Sequence, residues 1–203
     1  MQYELFRTWF LPRKIIDARE VRLVFPKFDS RRLFEWQRKG YIRKIINGFY
    51  LFSELECDEF LLMRMANVMY AHSYISLETA LGYYGLIPES VYQITSCSTR
   101  KTKSFNTPLA SFRYRSVSPA CFFGYGIEQR DHDIFMASPE KAVLDYLYFR
   151  TQFDEHDFYE WRLNITEYTE RISENTMHHY LARFQNKALS QRYALLQECL
   201  SHA

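Results

Sequence analysis

The sequence predicts an α+β protein in which a small N-terminal part of three helices and a β-hairpin precedes a larger mixed part. Short apolar helical stripes bounded by prolines occupy residues 2–39, and Asn47-Gly48 separates two β-prone runs. Farther along, alternating segments typical of strands come before a series of amphipathic helices. We expect the larger part to hold a small antiparallel sheet packed on helices, followed by a helical C-terminal segment.

Composition limits the class of protein. The chain has 203 residues, of which 47% are hydrophobic and 25% charged, so it can bury a sizeable core and is not generally disordered. No apolar run approaches the ~18 residues of a membrane-spanning helix. The first ten residues, MQYELFRTWF, lack the pattern of a secretory signal. We therefore expect a cytoplasmic protein without a membrane partner.

Cysteine spacing and known motifs argue against a cofactor. Cys57, Cys97, Cys121 and Cys199 stand far apart without a CxxC pair, which favours buried thiols over a zinc site or a disulfide framework. No GxGxxG, Walker A, HExxH or GxSxG motif occurs. The sequence thus predicts no catalytic residue, no metal ligand and no cofactor.

Charge is unevenly distributed along the chain. Residues 1–52 contain 12 Lys and Arg against 5 Asp and Glu, a net charge of +7. Residues 53–150 carry 9 against 11, and residues 151–203 carry 5 against 8. A basic N-terminal quarter on a mildly acidic remainder suggests a module that meets a polyanion.

The N-terminal elements are delimited by local signals. Helices are expected over 2–11, limited by Pro12, and over 18–25, capped by Asp17 and closed by Pro26. A third helix, capped by Asp29 or Ser30, should run to about residue 39 before Gly40. The hairpin over 41–52 should turn at Asn47-Gly48 in a type I′ turn, in which both residues need positive φ. This order predicts a winged helix-turn-helix domain over 1–54.

Side chains of the third helix divide into two groups. Leu33 and Trp36 are expected to face the core, and Phe34 to pack against the first helix or the larger part. A recognition helix presents its N-terminal residues to base edges. The predicted base contacts are Ser30, Arg31 and Arg32. The predicted phosphate contacts are Arg38 and Lys39, with Arg43 and Lys44 on the first strand of the hairpin. The alternative is a solvated basic face on a packing module.

The larger part is expected to begin near residue 55, where the charge changes sign. Ser76 should cap a helix that ends at Gly85, and Ser138-Pro139-Glu140 should start a buried helix over 139–150. Strands are predicted over 92–98, 112–117, 120–126 and 133–137. Residues 151–203 should form a helical extension with Ser173 as a cap.

The larger part contains two further clusters of charged residues. A possible second basic patch consists of Arg100, Lys101, Lys103, Arg113 and Arg115. These side chains either face solvent or contact a phosphate-rich partner. A nuclease would need clustered acids around a metal. The acids available for that are Glu128, Asp131, Asp133 and Glu140, which fit turn positions and a helix start better, so we predict no enzyme.

Five segments occur in an order and spacing that are typical of one family. They are RKGYIRKIINGFYLF (38–52), YISLETALGYYGLIPE (74–89), ITSCSTRKTKSFNTPLASFRYRSV (94–117), FFGY (122–125) and MASPEKAVLDYLYF (136–149). Through them, residues 28–150 resemble the AbiEi family of type IV antitoxins and predicted transcriptional regulators of viral defence. Ala110 departs from the family, which often has Gly there, so that turn is expected to differ.

The resemblance implies a function that composition alone does not. The winged helix would repress its own operon by binding double-stranded operator DNA. The domain over 55–203 would counteract a nucleotidyltransferase-like toxin of an abortive infection system without forming a stable complex. Operators mirror protein symmetry, so two copies are expected on an inverted repeat. A solitary regulator without a toxin, or an interaction scaffold that does not bind DNA, stays open as an alternative.

Overall fold

A computed structural model describes residues 2–88, 93–129 and 133–202. Its N-terminal part comprises α1 (Tyr3–Phe10), a 3₁₀ turn (Leu11–Arg13), β1 (Ile15–Asp17), α2 (Ala18–Val24), α3 (Arg31–Arg38), β2 (Ile42–Ile46) and β3 (Phe49–Phe52). The three predicted helices and the hairpin are confirmed. The short strand β1 was not predicted, and it pairs with β3 to give an antiparallel sheet of order β1-β3-β2.

Capping contacts explain where α2 and α3 begin. The Asp17 carboxylate accepts a hydrogen bond from the Arg19 backbone N–H (2.8 Å), as expected of an N-cap. For α3 the Asp29 carboxylate accepts from the backbone N–H of Arg31 (3.0 Å), whereas the Ser30 side chain makes no capping bond. Asp29 is therefore the residue that caps the third helix.

The hairpin turn differs from the predicted type. Gly48 has a positive φ of 88°, but Asn47 does not, so the type I′ expectation is wrong. The register also shifts between Lys44 and Ile46, which marks a β-bulge. The extra residue of a bulge increases the local twist of the strand. The turn can therefore join the two strands with only Gly48 in the left-handed conformation.

The larger part begins with α4 (Glu59–Met69), β4 (Ser73–Ile75) and α5 (Leu77–Tyr83). It continues through β5 (Gln93–Ser98), β6 (Lys103–Asn106), β7 (Ser111–Ser116), a 3₁₀ turn (Pro119–Cys121), β8 (Tyr125–Gln129) and β9 (Asp133–Ala137). The helices α6 (Pro139–Phe149), α7 (Glu155–Trp161), α8 (Ile165–Arg171), α9 (Glu174–Phe184) and α10 (Lys187–His202) follow. The helical C-terminal extension and the Ser173 cap, which accepts from the Thr176 N–H, are confirmed.

The sheet of the larger part is mixed, which corrects the expectation of a small antiparallel one. Its strand order is β6-β7-β5-β4-β9-β8. Two neighbouring pairs, β5 with β7 and β4 with β9, run parallel. The sequence missed this because strand direction depends on crossovers between distant segments. The predicted strand over 120–126 is also displaced, since residues 119–121 form a 3₁₀ turn and β8 starts at Tyr125.

The three-stranded sheet lies between two cores. Ile16, Ile42 and Phe52 face the small N-terminal core with α1 and α3. Residues on the opposite face belong to the core of the larger part; they are Ile15, Ile45, Phe49 and Leu51. The two parts that were expected to divide after residue 54 are thus joined by a continuous apolar contact through this sheet. Among the described residues no helix has the length and apolar character needed to cross a bilayer.

Candidate nucleic-acid interface

Helix α3 presents a basic outer face because its apolar residues are turned inward. Leu33 and Trp36 are each only 3% exposed, as predicted, and the Trp36 ring packs against that of Phe6 at 4.5 Å between centroids. The basic residues of the helix are exposed; they are Arg31, Arg32, Arg38 and Lys39. Phe34 is 68% exposed on the same side, so the expectation that it packs internally is wrong.

The two arginines predicted to read bases are held only weakly. Arg31 pairs with Asp29 (2.9 Å), and hydrogen bonds from Arg31 lower the pKa of that carboxyl group. Arg32 lies 3.8 Å from Glu35. Exposed pairs of this kind are weak because solvent screens them, so either guanidinium can exchange its partner for a phosphate or a base edge. Ser30 is exposed at the start of the helix.

The hairpin brings one of its two predicted phosphate contacts to the surface. Lys44 is exposed. Arg43 is half-buried, and its Nη2 donates to the carbonyl oxygen of Leu55 (2.8 Å). Within the described ranges no ion-pair partner is found for Arg38, Lys39 or Lys44. The surface with free positive charge is thus formed by α3 and Lys44, while Arg43 joins the hairpin to the following segment.

The five residues of the possible second basic patch do not come together. In β7, Tyr114 faces α4, where its hydroxyl donates to the Ala66 carbonyl oxygen (2.8 Å). Lys103 is directly opposite Tyr114 in the neighbouring strand, so it lies on that face too. Arg100 stacks on Tyr70 at 4.7 Å on the same side, and the Lys101 carbonyl oxygen accepts from the Tyr70 hydroxyl. The sheet therefore separates three of the five from Arg113 and Arg115.

Arg113 and Arg115 form a different group on the face covered by α5 and α6. With Arg150, which follows α6, they line a cavity of about 70 Å³. The remaining lining residues are Leu77, Glu78, Thr95, Tyr146 and Phe149. Burial, and then the charge of Arg113, lower the pKa of Arg115. Arg150 was not among the predicted site residues, because its place beside the sheet follows from the packing of α6.

A buried polar network, also missed by the sequence, lies at the centre of the larger part. Lys141 and Asp145 are fully buried and form an ion pair. The Asp145 carboxylate also accepts from the hydroxyls of Tyr74 (2.9 Å) and Ser76 (2.8 Å). Ser76 holds the N-cap position of α5, as predicted, but its hydroxyl donates to Asp145 and makes no capping bond. The spacing of Lys141 and Asp145, four residues apart on a helix predicted to be buried, was the available signal.

The remaining predicted side chains have ordinary structural roles. Glu140 is buried and accepts from the Ser138 hydroxyl (2.9 Å) and from the Ser173 backbone N–H (3.1 Å). Glu128 accepts from the Tyr83 hydroxyl (3.4 Å), Asp133 is exposed, and Asp131 lies outside the described residues. Over the ranges that the structure covers, no three His, Cys, Asp or Glu side chains are grouped as metal ligands.

The four cysteines are free thiols. Cys97, Cys121 and Cys199 are buried free thiols, as predicted, while Cys57 is half-buried. Burial raises the pKa of Cys97 well above its ordinary value.

Ala110 does not take a positive φ, and its carbonyl oxygen accepts a hydrogen bond from the Thr107 hydroxyl, so alanine fits this turn without strain.

Comparisons with known proteins concern the fold. No protein-family model matches the chain, and no curated protein sequence matches it either. Among solved structures, the chain is similar to the crystal structure of the RV2827C protein from Mycobacterium tuberculosis, with a TM-score of 0.60 and 12% sequence identity. The match covers 94% of this chain and 74% of that one. At this identity, the likeness is one of fold over nearly the whole length of the chain.

Proposed function

We propose that the protein is a DNA-binding transcriptional regulator whose residues 1–54 form a winged helix-turn-helix. The observation that carries the proposal is the exposed basic face of α3, with Lys44 on the adjoining hairpin. Helix α3 follows α2 after a short turn, and the hairpin of β2 and β3 follows it directly. That order of elements is typical of domains that place the third helix in the major groove and the hairpin against the backbone.

The charges support this assignment. The side chains of α3 that would meet bases are Arg31 and Arg32, and arginine pairs well with guanine edges. Arg38, Lys39 and Lys44 would neutralise phosphates. Because the net charge of residues 1–52 is +7 while the rest of the chain is mildly acidic, a polyanion would be drawn to this end of the molecule.

We further propose that the regulator is an antitoxin of a type IV toxin–antitoxin system. The support is the resemblance of residues 28–150 to the AbiEi family. In this proposal the larger part counteracts a nucleotidyltransferase-like toxin without binding it stably, and two copies occupy an inverted repeat upstream of the operon. Coexpression of the full chain with the toxin encoded beside it, scored by cell growth, tests this second step separately from DNA binding.

The experiment that tests DNA binding compares the protein's own upstream DNA with random DNA at two salt concentrations. We expect tight, selective binding that weakens with salt, because each phosphate contact releases counterions. Binding no tighter than to random DNA would contradict the regulator.

An interaction scaffold is the second candidate function. It is favoured by apolar side chains exposed on α1 and α2, since Leu5 is 49%, Trp9 47% and Leu23 81% exposed. A scaffold would associate with protein through this surface and would show no steep salt dependence with DNA.

A further inference from the structure

The cavity beside β7 is built from cations on three separate positions of the larger part. Arg113 and Arg115 alternate along β7, so both side chains leave the sheet on the side of α5 and α6. Arg150 follows the last turn of α6 and completes the group. The only carboxylate among the described lining residues is that of Glu78. The described lining therefore has three positive charges and one negative charge.

Aromatic rings hold two of the three guanidinium groups, those of Arg115 and Arg150, in place. Arg115 lies over the Phe149 ring at 4.3 Å from its centroid, and Arg150 lies over Tyr146 at 4.9 Å. Arg150 also donates to the Tyr146 hydroxyl and lies 3.8 Å from Asp157. Stacking on Phe149 orients the Arg115 guanidinium and leaves its N–H groups available to a ligand, whereas Arg150 is also held by Tyr146 and Asp157. In the part of the chain that is described, the side chains of Arg113 and Arg115 donate no hydrogen bond to a protein acceptor.

The size and charge of the cavity select one class of ligand. The cavity of about 70 Å³ has room for more than a single water, so it accommodates a small polyatomic group. The phosphate group of a monoester is a compact unit of five heavy atoms, with three acceptor oxygens and about −1.5 to −2 charge at pH 7. Those charges match Arg113 and Arg115, for which no ion-pair partner is found among the described residues, whereas a carboxylate would leave one of the two unpaired.

We propose that this cavity binds a phosphate group, either free phosphate or the terminal phosphate of a nucleotide. Arg113 and Arg115 donate to its oxygens from the sheet, and Arg150 donates from the end of α6. The site is separate from the α3 surface and does not depend on DNA binding.

Calorimetric titration of the full chain with inorganic phosphate, AMP, adenosine and acetate tests the proposal. We expect phosphate and AMP to bind, and adenosine and acetate not to bind. Equal affinities for phosphate and AMP would identify the phosphate group as the whole ligand. Tighter binding of AMP would identify a nucleotide. Absence of binding by both phosphate and AMP would overturn the proposal.

Two variants and a matched control locate the site. Arg113→Gln changes an exposed side chain and should not disturb folding, and Arg115→Gln removes the stacked guanidinium. Each should weaken phosphate binding about 10-fold or more, the usual effect of losing a hydrogen bond to a charged group. Arg100→Gln, on the opposite face of the same sheet, should leave the affinity unchanged. An equal loss in Arg100→Gln, or unchanged affinity in Arg113→Gln, would contradict this location.

Discussion

Lys141 and Asp145 place opposite charges four residues apart on α6, with no exposure of either side chain to solvent. The Lys141 ammonium also donates to the Tyr74 hydroxyl (2.8 Å), and that hydroxyl donates to Asp145. Burying two charges is tolerable only when each is paired and hydrogen-bonded, as here. The network connects α6 with β4, so these residues fix how the helix lies on the sheet.

Removing either member of the Lys141–Asp145 pair should therefore destabilise the folded protein. We expect Lys141→Met to lower the free energy of unfolding by about 3–5 kcal/mol, because the Asp145 carboxylate is left buried without its cation. Urea denaturation followed by tryptophan fluorescence measures the change. Lys187→Met, at an exposed lysine of α10, is the control and should change stability by less than about 0.5 kcal/mol. A loss below about 1 kcal/mol for Lys141→Met would show that the ion pair is not needed.

Arg31 and Arg32 carry the sequence-reading part of the proposed function. Alanine at either position should cost about 1–3 kcal/mol on the cognate operator and little on random DNA. Binding titrations on both DNAs measure the difference. Arg171→Ala, at an exposed arginine of α8, should leave both affinities unchanged. Equal losses on cognate and random DNA would exclude base reading by these two residues.

At the scale of elements, local signals located helix ends well and strand pairing poorly. Asp17, Asp29 and Ser173 accept backbone hydrogen bonds at the starts of α2, α3 and α9, because capping involves neighbours in sequence. The parallel pairing of β5 with β7 depends on a crossover through β6, which no local pattern encodes. The same limit applied to the second basic patch. Arg113 and Arg115 share one face of β7 as predicted, but the other three members lie on the opposite face of the sheet.

The hairpin offers a matched pair of cations. Lys44→Ala should weaken binding to all DNA sequences about equally and should flatten the salt slope by about one unit, because Lys44 is exposed. Arg43→Ala should leave the slope nearly unchanged, since its side chain is half-buried and donates to the Leu55 carbonyl oxygen. Affinity measured at several salt concentrations gives both slopes. An unchanged slope for Lys44→Ala would remove the hairpin from the interface.

At the scale of the whole molecule, the sheet of the N-terminal part completes the core of the larger part. The four side chains on that face are Ile15, Ile45, Phe49 and Leu51. Burial of each contributes roughly 1.5–3 kcal/mol, so together they approach the usual stability of an entire domain. The two parts should therefore fold together, which keeps α3 at a fixed position on the larger part.

A fragment of residues 1–54 tests this coupling. Without the larger part its sheet exposes four large apolar side chains, and we expect it to be largely unfolded or aggregated. Far-UV circular dichroism and amide chemical-shift dispersion report the folded fraction, with the full chain as reference. A monomeric fragment that melts cooperatively near the temperature of the full chain would contradict the shared core.

The sequence by itself determined the α+β class, the approximate bounds of α1, α2, α3, α5 and α6, the hairpin and the basic outer face of α3. These depend on caps, prolines and periodicity, which act between residues a few positions apart. Tertiary structure alone decided the mixed strand order, the burial of the Lys141–Asp145 pair against Tyr74 of β4, and the meeting of Arg113, Arg115 and Arg150. Such contacts join segments that are distant in the chain, and their free energy comes from burial and charge pairing that exist only once the sheet and α6 have packed together.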